Sequence, residues 1–144
     1  MTNKNGEAKI GDRNIVWGWV VMILGALSGS ILMAWSFDGP FPTPPGMTNY
    51  TDLPRRMVRL AHVAFFMLPL INVNIGRDLD NLALSDEWKN RLSWCAIIGM
   101  IGIPTGLIMA AAINIHLKYL SVIPVTCLTV ALLLMAVGSV KRRR

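Results

Sequence analysis

Acidic side chains are few and poorly placed for chemistry inside the apolar parts of this chain. Only eight of its 144 residues are Asp or Glu. Asp38, Asp78, Asp80, Asp86 and Glu87 all fall in polar stretches between apolar runs. A proton- or ion-coupled transporter that works through an acid within the bilayer therefore has no residue to use. Cysteine is scarcer still, with two residues. Cys95 and Cys127 each stand alone in an apolar run, where a thiol behaves as a small buried hydrophobe. No CxxC or CxxCH occurs, which removes support for thioredoxin-type chemistry and for covalent c-type haem attachment. Nor is there a Ser-His-Asp order, a Walker loop or an HExxH, so hydrolase and nucleotide-binding readings are unsupported.

What the chain has in quantity is hydrocarbon. Hydrophobic residues make up 53% of it and charged residues 15%, with a mean hydropathy of +0.50. That is too apolar for an ordinary soluble protein of this length, and it fits one domain covering residues 1–144. The net charge of +6 could suggest nucleic acid, but its placement argues against that partner. Lys141-Arg142-Arg143-Arg144 follows an apolar run directly, as a cytoplasmic stop beside anionic lipid does.

Four apolar runs are each about the 20 residues a membrane helix needs: residues 15–35, 54–76, 92–113 and 119–140. The reading is all-α, an integral membrane bundle of four transmembrane helices. The first run begins after a polar tail and lacks a small-x-small site before Asp38-Gly39-Pro40, so it reads as a span and not as a cleaved signal. Asp12 is placed to cap it. Trp17, Trp19 and Trp35 near its ends suit the interface. Gly25 and Gly29 form a GxxxG that lets another helix approach closely.

Pro40, Pro42, Pro44 and Pro45 make the next loop irregular and extended, with Phe37, Phe41 and Tyr50 available to cover the headgroups or the bundle mouth. Thr51 or Asp52 before Pro54 starts the second helix. Pro69 removes a backbone donor and frees the carbonyl of Phe65, so a bend is expected there, and Pro104 should bend the third helix likewise. Asn72 and Asn74 are placed to bond a neighbouring helix or reach the interface. Ser85 with Asp86 and Glu87 reads as a cap with an acidic first turn.

Lysine and arginine set the orientation. Lys4, Lys9, Arg13, Arg77, Lys89, Arg91 and the four of the tail make ten on one side, against Arg55, Arg56, Arg59 and Lys118 on the other. The expected topology is N-in/C-in, with the proline loop, His62 and His116 toward the outer face.

Arg59 and His62 are carried into the second run, three residues apart and so on one helix face. An Arg at the centre of a bilayer costs roughly 2.5–3.5 kcal/mol by insertion scales, so such groups mark candidate sites. Three readings stand side by side. Arg59 snorkels to the headgroups and His62 bonds a local carbonyl. Alternatively His62, with or without His116, ligates b-type haem or copper, and Arg55, Arg56 and Arg59 meet the haem propionates. In the third reading these groups line a pocket for a quinone or other small ligand. Met109 is a further copper candidate beside His116.

The run Pro-Arg-Arg-x-x-Arg-Leu-x-His, Pro54 to His62, resembles segments of small multi-span bacterial membrane proteins without an assigned function. The resemblance implies a bacterial inner-membrane location. The leading functional expectation is a structural or accessory subunit, whose partners are the bilayer and other membrane subunits or further copies of the chain. The alternative is the redox protein holding haem or copper through His62 and His116.

Overall fold

A computed structural model describes residues 9–35 and 39–142. Lys4, Phe37, Asp38, Arg143 and Arg144, used above, lie outside the described residues. Four long helices follow one another: α1 Asp12–Trp35, α2 Leu53–Leu79, α3 Asp86–Ala112 and α4 Val122–Arg142, with a 3₁₀ segment Ile115–Ser121 leading into α4. No strand occurs among the described residues. Each of the four helices, counting the 3₁₀ segment with α4, is long and apolar enough to cross a membrane.

Helix ends follow local chemistry, with some substitutions of partner. The backbone N–H groups of Ile10 and Gly11, at the start of α1, donate to the Asp80 carboxylate at 3.2 Å each. The acid that neutralises this helix end thus comes from the far end of α2, where a negative charge suits the helix dipole. Ser85 occupies the cap position of α3 in an extended conformation, without a side-chain cap bond. α4 begins at Val122, three residues later than the sequence suggested. Asn114 accepts from the His116 N–H and holds the intervening turn as 3₁₀. Pro124 then falls in the first turn of α4, where its missing N–H costs nothing. α2 and α3 both run unbroken through Pro69 and Pro104.

Three side-by-side contacts organise the molecule. α2 lies between α1 and α3, and α4 packs on the other side of α3. At one end Ile75, Leu79, Leu82, Leu92, Ala96 and Ala131 form an apolar cluster. Midway, Val21, Ile97 and Met100 form another, with Phe65 and Leu68 against it. A buried polar clasp joins the first three helices. Asn14 Nδ2 donates to Asn72 Oδ1 at 2.6 Å, Asn72 Nδ2 donates to the Ala96 carbonyl at 2.8 Å, and the Ser93 hydroxyl donates to Asn14 Oδ1. Asn14, Asn72 and Ser93 are all fully buried. In an apolar interior each such group must find a partner, so the clasp fixes the relative position of α1, α2 and α3. Asn74, by contrast, is exposed and donates to the Leu70 carbonyl of its own helix.

The seam between α1 and α2 uses the small residues noted in the sequence. A methyl group on Gly25 would lie 2.9 Å from the Phe65 carbonyl oxygen. This is the carbonyl that Pro69 leaves without its helical donor, and it faces the backbone of Gly25 instead, the arrangement of a weak Cα–H···O contact. Gly29 meets His62. Outside these seams the helices are apolar and uncovered: Ile23, Leu27, Ile31, Ile123 and Leu133 are among many large side chains more than half exposed.

Candidate functional site

The site is built on the first turns of α2. Leu53-Pro54 starts the helix, and Arg55, Arg59, His62 and Phe66 then follow at helical spacing on the face toward the C-terminal half of α1 and the proline loop. Arg56 is exposed to one side of this row. The loop reaches the row by a tight turn. Met47 N–H donates to the Pro44 carbonyl at 3.1 Å, and Gly46 takes φ +77°, the left-handed conformation that a glycine supplies at the third position of a type II turn. Met47 is buried by this fold-back. The Met47 and Thr48 carbonyls accept from Arg55 Nη1 at 3.4 and 3.3 Å. Tyr50 is thereby brought over both arginines, with its ring 3.6 Å from the Arg59 guanidinium carbon and 5.7 Å from that of Arg55.

His62 is held from α1. Its Nδ1 lies 3.0 Å from Ser28 Oγ, and the Ser28 hydroxyl donates to the Gly25 carbonyl at 2.7 Å. With that proton committed, Ser28 Oγ accepts from Nδ1–H, and in the neutral ring the lone pair then belongs to Nε2. This is how a hydrogen bond on one ring nitrogen prepares the other as a ligand. No other protein hydrogen bond to the imidazole occurs among the described residues. Gly29 makes room for the ring, since a methyl there would sit 2.9 Å from Cε1. Phe66 meets the imidazole edge-on, with centroids 5.3 Å apart.

Two cavities share His62. The larger, about 930 Å³, is lined by Gly29, Leu32, Met33, Pro40, Tyr50, Arg55, Arg59 and His62 among others, and falls in the size range of small-ligand sites. The smaller, about 270 Å³, is almost wholly apolar and lies between α1, α2 and the end of α3, against Trp35, Phe65, Ile108 and Ala112. Arg59 Nη1 is out of solvent and has no hydrogen-bond partner among the described residues. The polar side chains lining the larger cavity are thus His62, Arg55, Arg59, Tyr50 and Ser30.

Of the residues singled out in the sequence, the structure gathers Arg55, Arg59 and His62 at one cavity. Arg56 and His116 do not line it. His116 is exposed on the 3₁₀ segment, and its backbone N–H is engaged by Asn114 Oδ1 at 2.9 Å. Met109 lies on α3 and lines neither cavity. No group of three or more His, Cys, Asp or Glu occurs among the described residues. Ser28 and Tyr50 are the residues that sequence reasoning did not assign to the site. A serine inside a GxxxG reads as helix packing, and its partner lies 34 residues away. Compared with models of protein families, with curated proteins and with solved structures, the chain matches none.

Proposed function

We propose that this is a small multi-pass protein of the cell (inner) membrane, with both termini in the cytoplasm, that holds a redox-active ligand near the outer face through His62. The first candidate is b-type haem. The observation that carries the reading is the Gly25–Ser28–His62 chain of hydrogen bonds, which engages Nδ1 and leaves Nε2 as the ring nitrogen without a bond among the described residues, in the wall of a cavity of about 930 Å³. Haem suits this better than bare copper. A porphyrin brings four ligands to its iron and needs only one or two from the protein, whereas copper draws its N and S ligands from the protein. Arg55 and Arg59 line the same cavity and would supply cations for the propionates.

The experiment is an absorbance spectrum of the purified full chain after expression with haem supplementation, together with metal analysis. A Soret band is expected, and His62→Ala should abolish it in protein that still inserts. His116→Ala is the companion variant: a shifted band would add His116 as second axial ligand, and an unchanged one leaves His62 alone. Protein that stays colourless after haem supplementation would overturn the haem reading. Copper found by elemental analysis without a Soret band would transfer the site to the copper alternative.

A structural or accessory role in a larger membrane assembly is the second reading, and α4 favours it. Only Pro124, Ala131 and Gly138 of that helix are buried, one narrow stripe against α3 and the loop before it, so its remaining apolar surface is open to lipid or to a neighbouring subunit. The GxxxG face no longer supports this role, because Gly25 and Gly29 are occupied by α2 of the same chain.

A further inference from the structure

We infer that the arginine end of the larger cavity is a binding site for the carboxylate or phosphate group of an otherwise apolar molecule, with Arg59 as its anchor and Tyr50 as its cover. The inference rests on the cavity being a ligand site, and is independent of any metal at His62.

The argument starts from a charge without a partner. Arg59 lies two turns into α2, and Tyr50 stacks on it at 3.6 Å. Stacking uses the face of a guanidinium and makes no hydrogen bond with its donors, which lie in the guanidinium plane. Nη1 finds no acceptor among the described residues and is shielded from solvent. The nearby carboxylate of the loop does not serve it. Asp52 Oδ2 accepts instead from the Asn49 N–H at 2.8 Å and the Thr48 hydroxyl at 3.5 Å. Among the described residues neither Arg55 nor Arg59 enters an ion pair, and the pairs that do occur lie at the other end of the molecule, Lys89–Asp86 and Arg91–Glu87. A covered guanidinium with an unused donor is costly unless an anion completes it.

The remaining walls say what carries that anion. Leu32, Met33, Ala34 and Pro40 are apolar, so the body of the ligand is hydrocarbon or a flat ring system and its charge is confined to one end. The cation–π stack also gives Tyr50 a definite job. It holds the guanidinium in place while the site is empty, and a small displacement of its ring uncovers Nη1. Such an anionic end can come from a free amphiphilic acid or from the phosphate of a bilayer lipid.

The test uses the purified full chain in a neutral maltoside detergent and metal-free protoporphyrin IX, followed by porphyrin fluorescence. Its dimethyl ester has the same body without charge. The acid should bind at least about 10-fold more tightly than the ester, the scale of one charge-assisted hydrogen bond. Arg59→Gln should weaken the acid by about 10- to 100-fold and leave the ester unchanged. His62→Ala should leave the metal-free acid unaffected, so loss of the haem band in that variant and loss of acid binding in Arg59→Gln report on separate claims. Reconstitution into phosphatidylcholine vesicles with and without phosphatidylglycerol separates the sources. Displacement of the acid by phosphatidylglycerol identifies lipid phosphate as an occupant, and retention identifies the free acid. Equal binding of acid and ester by the wild-type chain, or binding of neither, overturns the inference without reliance on any variant.

Discussion

A single methyl group at Gly25 should separate two helices, whereas the same methyl one turn away at Gly29 should disturb only the site. An alanine Cβ at position 25 would lie 2.9 Å from the Phe65 oxygen, 3.0 Å from its Cβ and 3.2 Å from its carbonyl carbon. Favourable separations are about 3.5–4.0 Å between carbon atoms. The deficit is therefore about half an ångström or more, and it falls mainly on backbone that no rotamer change can move. α1 and α2 must part along the seam, and overpacking of this kind costs about 1–3 kcal/mol. At Gly29 the obstructing atoms belong to the imidazole of His62, with Cε1 at 2.9 Å and Nε2 at 3.4 Å. That ring can swing away, at the expense of its bond to Ser28. Gly29→Ala should thus retain most of the stability and lose ligand binding through His62. Ala26, exposed beside the seam, is the control, and Ala26→Leu should fall within about 0.5 kcal/mol of wild type. The assay is unfolding in mixed micelles of rising dodecyl sulfate fraction, followed by tryptophan fluorescence. A Gly25→Ala protein that unfolds at the same detergent fraction as Ala26→Leu would refute the close approach of α1 and α2.

Two further expectations follow from the polar clasp and from the charges. Asn72→Ala leaves Asn14 Nδ2 one acceptor short and deprives the Ala96 carbonyl of a donor, and should cost about 1–2 kcal/mol in the same assay, near the upper end for interhelical polar contacts. Asn74→Ala, whose side chain bonds only within its own helix turn, should be neutral, and similar losses at the two positions would contradict the clasp. Reporter fusions after residue 144 and within residues 40–50 test the proposed topology. A cytoplasmic signal is expected from the first and an external one from the second, and the reverse pattern would move His62 to the inner face.

The existence, length and order of the four helices were legible in the sequence because they depend on local properties. Runs of about 20 apolar residues favour helix whatever they pack against, and Pro54 and Pro124 sit in first turns, where they are harmless. The common face of Arg59 and His62 was equally local, a consequence of three-residue spacing. The tertiary structure decided the partners. Gly25-x-x-x-Gly29 is compatible with a neighbouring subunit or with the chain's own α2, and only the meeting of Gly25 with Phe65 and of Gly29 with His62 turns that face inward. The bond from His62 to Ser28, and those from Ile10 and Gly11 to Asp80, cross 34, 70 and 69 residues. No local pattern encodes such pairs, because they depend on the register in which two helices come to rest. That register also leaves His116 on an exposed 3₁₀ turn while Arg55, Arg59 and His62 line a single cavity. Distance from the bilayer centre can be read from a hydropathy pattern. Direction around a helix, relative to its neighbours, is set by packing.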